Sequence, residues 1–98
     1  MSVPGLRVVD NPVELRYEAW LDERLAGFIL YTVDGAVVTL VHTDVTPGFE
    51  GRGVGARLVE GALQDLRDRE LLLEPLCPFV AAYLRRHPEY DELLATRR

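Results

Sequence analysis

Lysine is absent from this 98-residue chain; every basic residue is an arginine. That excludes the lysine-bearing phosphate loop of nucleoside-triphosphate enzymes, and it excludes Schiff-base chemistry on a side-chain amine. Cysteine occurs once, at Cys77, so no internal disulfide can form, and a reducing cytoplasmic location is expected. No apolar run approaches the ~20 residues of a membrane span, and Met1-Ser2-Val3-Pro4 opens no signal peptide; no membrane partner is expected. Positive charge is also scarce. A formal net charge of −5 argues against a general nucleic-acid binder, whose affinity comes from clustered cations. No metal site is expected, and there is no internal repeat or low-complexity segment.

What is present reads as one ordinary globular domain over residues 1–98. A hydrophobic content of 48% with 28% charged residues suits such a domain, and the length leaves no room for a second. Residues 1–14 read as a lead-in with a short extended piece, Leu6 to Val9, closed by Asp10-Asn11-Pro12. Leu15, Tyr17, Ala19 and Leu21 alternate onto one face of a strand, and a turn follows at Asp22-Glu23-Arg24. Leu25 to Val33 is apolar on both faces, which predicts a central strand covered on both sides. Asp34-Gly35 is a two-residue hairpin signal leading into a third strand, Ala36 to Asp44. These three strands form an antiparallel meander.

Beyond Val45-Thr46-Pro47 the pattern becomes helical. Val54, Leu58, Val59, Ala62, Leu63 and Leu66 make one apolar stripe, while Arg57, Glu60, Gln64, Asp65 and Asp68 face solvent. Asp65 stands four residues before Arg69, a favourable helix pair. Leu71 to Leu73 is a short buried strand ended by Glu74-Pro75. Pro78 suits a first helical position, and the second helix runs to about Arg86, with Arg85, Arg86 and His87 complementing its dipole before Pro88. The tail from Glu89 adds a helical turn around Leu93 and Leu94. The order predicts an α/β (α+β) sandwich: a mostly antiparallel mixed sheet, one βαβ crossover and two main helices packed on it.

The feature that carries chemistry is the run Glu50-Gly51-Arg52-Gly53-Val54-Gly55, directly before the first helix. Glycines here let a bulky anion approach main-chain N–H groups, at the positive end of a helix dipole. A phosphate or pyrophosphate is the natural guest. Gly51-x-Gly53-x-x-Ala56 also matches the dinucleotide fingerprint, with Glu74 downstream. That fingerprint needs its first glycine at the strand end and at the start of a domain, whereas here Thr46 to Glu50 intervene and a whole meander comes first.

The loop resembles the cofactor motif of the GNAT acetyltransferase superfamily, Gln/Arg-x-x-Gly-x-Gly/Ala, with Glu50 in place of the usual glutamine or arginine. His42-Thr43-Asp44-Val45, Pro75 to Val80 and His87-Pro88-Glu89-Tyr90 extend the likeness over about residues 14–94, to the minimal GNAT-like acetyltransferases. The resemblance implies acetyl-CoA as donor and an amine as acceptor, with the acceptor and the oligomeric state left open by the sequence. It implies that the loop Glu50, Gly51, Arg52, Gly53, Val54 and Gly55 holds the pyrophosphate through its backbone. It also implies that Thr43, Asp44 and Val45 offer backbone groups to the pantetheine arm. Glu50 should point away from the pyrophosphate and cap the helix start, while Arg52 and Arg57 either reach phosphates or stay solvated.

Two residues are candidates for catalysis. Cys77 stands at the expected N-cap of the second helix, where a thiolate is stabilised; the alternative is a buried packing residue. His42 is the candidate base, or a strand histidine with one hydrogen bond. Trp20, Phe28 and Tyr31 read as core. Three functions are open: acetyl transfer to an amine, directly or through Cys77; an acyl-CoA-binding module with an inert acceptor side; or a protein-interaction domain that has lost the cofactor, against which the intact glycines count.

Overall fold

The computed structural model describes residues 4–95; Met1, Ser2, Val3 and Thr96 to Arg98 lie outside the described residues. Five strands form one sheet in the order β1-β2-β3-β4-β5. They are β1 (Leu6–Asn11), β2 (Arg16–Leu21), β3 (Arg24–Asp34), β4 (Val37–Val45) and β5 (Leu72–Pro75). The first four pair antiparallel, and β5 runs parallel to β4. Helix α1 (Val54–Asp68) makes the crossover between β4 and β5, and α2 (Pro78–Arg86) follows β5. A short 3-10 turn over Pro88–Leu93 leads to a parallel bridge between Leu73 and Leu94.

The lead-in is thus a full strand. Arg7, Val8 and Val9 pair with Trp20, Ala19 and Glu18, and Leu6 enters the core, so β1 is the sheet's edge rather than a loose segment. Leu15 departs from its expected inward place: it sits in the connecting turn at φ 55 and is 46% exposed, and pairing starts at Arg16. The β3–β4 turn is Gly35-Ala36, one residue later than expected, with Asp34 paired to Val37 and positive φ at Gly35 alone. Glycine at the first central position suits a two-residue hairpin turn.

The α1 stripe is buried as its spacing predicts: Val54, Leu58, Val59, Ala62, Leu63 and Leu66 all lie in the core. It packs on Tyr17, Ala19, Ile29, Tyr31, Val38, Leu40 and Leu73 from one face of the sheet. Asp65 does not face solvent as expected. It accepts a 2.6 Å hydrogen bond from the Tyr17 hydroxyl and pairs with Arg69 at 3.3 Å. Arg69 also reaches Asp10 at 3.1 Å, and Asp10 accepts from the Tyr31 hydroxyl at 2.6 Å. This chain of polar contacts fastens β1, β2 and β3 to the C-terminal end of α1.

The sheet's second face is different. Strand β3 was expected to be covered on both sides, yet Leu30 and Val33 are exposed and Phe28 is half-buried. Both helices pack on the opposite face, α2 beside α1, with the Phe79 ring against Gly55. Partial cover of the second face comes from its own side chains. Glu18 is buried there and accepts hydrogen bonds from Arg16 Nε (2.6 Å), Asn11 Nδ2 (2.9 Å) and Trp20 Nε1 (3.0 Å). Arg16 in turn lies over the Phe28 ring. Of the three aromatics expected in the core, Tyr31 is buried, while Trp20 and Phe28 are half-buried on this open face.

Candidate active site

Strand β4 leaves the sheet at Val45, and the loop that follows is tied down early. Thr46 N–H donates to the Ala26 carbonyl at 2.8 Å, and Phe49 N–H donates to the Thr46 carbonyl at 3.0 Å. Gly51 (φ 77) and Gly53 (φ 78) then take left-handed conformations that a Cβ would strain. Gly53 is the N-cap of α1 and supplies no side-chain cap bond. The first helical bond runs from Arg57 N–H to the Gly53 carbonyl. The N–H groups of Val54, Gly55 and Ala56 therefore precede the hydrogen-bonded ladder. In front of them is a cavity of about 270 Å³, lined by Val45, Phe49, Gly51, Gly53, Gly55 and Phe79 among others. Uncapped donors at the positive end of a 15-residue helix are the groups an anion would use here, beside a cavity whose walls are mainly apolar.

The neighbouring charges divide into occupied and free. The Glu50 carboxylate accepts from Gly48 N–H at 2.8 Å, so it braces the loop instead of capping the helix. The N–H groups of Glu50 and Gly48 hold its carboxyl below the usual range. Arg57 is engaged by Glu60 (3.3 Å) and the Leu6 carbonyl (3.4 Å). Arg52 stands over the Phe49 ring.

The second half of the site is where β4 and β5 part. Their pairing ends at Leu40 and Pro75, and the N–H groups of Leu76 and Cys77 both donate to the Leu40 carbonyl (3.1 and 2.9 Å). Past that point α2 begins, and Cys77 is its N-cap in extended backbone conformation. The thiol is 3% exposed and lies 3.4 Å from the Thr43 hydroxyl. Burial pushes the thiol up, but the Thr43 hydroxyl and the nearby N–H groups of Val80, Phe79 and Thr43 outweigh it, although the Cys77 sulfur makes no cap hydrogen bond to the helix. Together they hold Cys77 below its ordinary value.

His42 and Cys77 are not brought into contact. Neighbouring residues on a strand point to opposite faces, and Thr43 is the one that meets Cys77. His42 and Asp44 are exposed on the open face, opposite Leu30 and Phe28 of β3. His87 stacks on Tyr83 with ring centroids 4.0 Å apart and contacts Glu89 at 3.3 Å, a helix-end arrangement away from Cys77.

Three contributions were missed from the sequence. Thr43 was expected to contribute only its backbone, Phe79 entered only within the Pro75-to-Val80 likeness, and Arg24 was read as part of a turn. Arg24 stands 4.9 Å over the Phe49 ring, next to the glycine loop. Only the register of β3 against β4, which ends with Gly27 beside Val45, places Arg24 there.

A mixed sheet with a glycine loop opening the crossover helix and strands that part beside a second helix defines an acyltransferase architecture. Residues 16–93 match the model of the GCN5-related N-acetyl-transferase family, and the chain belongs to that family. No curated protein matches it. Its fold is similar to the NMR structure of a GCN5-like protein from Staphylococcus aureus, with 22% identity, TM-score 0.70, and 98% of this chain and 94% of that one covered. It is also similar to Ard1 from Thermoplasma volcanium (20% identity, TM-score 0.54, 64% of this chain and 44% of that). Nourseothricin acetyltransferase gives 24% identity and TM-score 0.50, over 89% of this chain and 49% of that. The matches span about half of these two longer chains. Acetyl-CoA is the general donor of the family.

Proposed function

We propose that the protein is an acetyl-CoA-dependent N-acetyltransferase acting in the cytoplasm. The pyrophosphate rests on the backbone of residues 51–55, and the pantetheine arm runs along Thr43, Asp44 and Val45. The observation that supports this most is the Thr43 hydroxyl lying 3.4 Å from the Cys77 sulfur, where β4 and β5 part at the start of α2.

Bound acetyl-CoA supplies an activated acetyl thioester. In the route through the cysteine, the Cys77 thiolate bonds to the acetyl carbon, and coenzyme A leaves as a thiolate that takes up a proton. An amine then attacks the new thioester, loses its proton and restores Cys77. In the direct route the amine bonds to the acetyl carbon of the donor itself, and the Cys77 pocket only positions the thioester. The Thr43 hydroxyl stabilises negative charge on sulfur in the first route. His42, on the open face, is the base for an amine approaching from that side.

Intact-protein mass spectrometry after brief exposure to acetyl-CoA tests the cysteine route. One added acetyl, absent from Cys77→Ala, is the expected result; turnover of an amine panel without it selects the direct route. The open second face of the sheet favours one other reading, an acyl-CoA-binding module, because no helix among the described residues walls an acceptor there. Tight CoA binding with no acetyl-CoA consumed by any amine would select that reading.

A further inference from the structure

Phe49 is 2% exposed although it lies in a surface loop, and part of what covers it is charge. The Arg24 guanidinium stands 4.9 Å and the Arg52 guanidinium 5.5 Å from its ring centroid. Arg24 opens β3 and Arg52 lies within the glycine loop, so two separate stretches of chain bring like charges to one ring. Arg16, Arg57, Arg67 and Arg69 each have a carboxylate partner. Among the described residues Arg24 and Arg52, like Arg7, Arg85 and Arg86, have none, and of these five only Arg24 and Arg52 meet on one ring.

The face of an aromatic ring attracts a cation, and it holds these two in place without neutralising them. Two exposed guanidiniums gathered on one ring, without carboxylate partners, are open to a multiply charged anion. Guanidinium suits a phosphate because its planar fork presents paired donors. The N–H groups at the α1 start already serve the pyrophosphate in the function proposed above, on which this inference rests. The arginines are left for the ligand's remaining phosphate. We propose that Arg24 and Arg52, held on Phe49, bind the ribose 3′-phosphate of coenzyme A and select it over dephospho-coenzyme A.

Calorimetry with CoA and dephospho-CoA tests this on the parent and on Arg24→Met, Arg52→Met and the double variant. Methionine keeps an unbranched apolar cover on Phe49 and removes the charge. The parent should prefer CoA by about tenfold or more, as expected for charge-assisted phosphate contacts. Each methionine variant should lose about tenfold in CoA affinity while its dephospho-CoA affinity stays within about twofold, and the double variant should bind the two ligands alike. Lysine at either position, keeping charge without the fork, should restore part of the preference. A parent that binds both ligands equally overturns the inference and leaves the proposed function standing. Variants that weaken both ligands equally also overturn it, since the arginines then serve packing or the pyrophosphate. A parent that binds neither ligand overturns the coenzyme A reading itself.

Discussion

At the scale of single residues the chemistry turns on how polar groups are held. Cys77 was legible in the sequence as an N-cap because Pro78 marks the helix start. Its hydrogen bond with Thr43 was not, since that contact spans 34 positions and depends on where β4 and β5 part. The Cys77 thiol lies below its ordinary value, so its alkylation by iodoacetamide should reach half-maximal rate below the roughly pH 8.5 of a free cysteine. Thr43→Val keeps the shape and removes the hydroxyl; it should shift that profile upward and slow alkylation several-fold at neutral pH, with Thr43→Ser restoring it. An unshifted profile in the valine variant would show that the backbone donors alone set the thiol. Glu18 makes a second residue-scale case. Burial pushes its carboxyl up, but the hydrogen bonds from Arg16, Trp20 and Asn11 prevail and hold it below the usual range. Its stabilising effect is therefore complete above the unfolded value, about 4.3, and is lost as pH falls through the lower folded value. Glu18→Gln should cost about 1–3 kcal/mol in urea unfolding at pH 7, and the gap to the parent should narrow at pH 3.

At the scale of elements, the glycine loop shows why one motif conceals several physical reasons. All three glycines were visible in the sequence as an anion site. Gly51 and Gly53 have positive φ and serve the path of the chain. Gly55 is helical, and a Cβ there would lie 2.8 Å from the Phe79 ring, so its missing side chain makes room for α2. The two helix starts are packed through that contact, which joins the cavity to the Cys77 element. A thermal double-mutant cycle separates the reasons. Gly55→Ala should cost the parent less than about 1 kcal/mol, because Phe79 is 43% exposed and its ring can swing away. It should stabilise a Phe79→Ala background by up to about 1 kcal/mol, alanine being the better helix former. An equal loss in both backgrounds would mean that the alanine is opposed by something other than the ring. The strands were legible from alternation, with errors where alternation carries no sign of what covers a face. Leu25 to Val33 is apolar on both sides in sequence, yet only one side meets helices, and Trp20, Phe28 and the Glu18 cluster give the second face its partial cover.

For the molecule as a whole, the antiparallel strands are fastened to α1 at its C-terminal end by the Tyr17–Asp65–Arg69–Asp10–Tyr31 contacts. The cavity lies at the other end of the same helix, with the glycine loop and the start of α2 around it. Ligand binding at that end adds contacts between segments that otherwise meet through Phe79 and a few core side chains. Binding to the folded state alone stabilises by mass action, about 2.7 kcal/mol at a ligand concentration one hundred times the dissociation constant. For a domain of this length each kcal/mol moves the melting temperature by about 4–8 °C. Saturating CoA should therefore raise the parent's melting temperature by about 10–20 °C in differential scanning fluorimetry. Gly53→Val puts a β-branched side chain at φ 78, which costs about 1–2 kcal/mol, and it displaces the backbone donors from the cavity. Its melting temperature should fall by several degrees without ligand, and saturating CoA should barely raise it. A CoA shift in Gly53→Val as large as the parent's would place the phosphates elsewhere on the molecule and remove the glycine loop from the site.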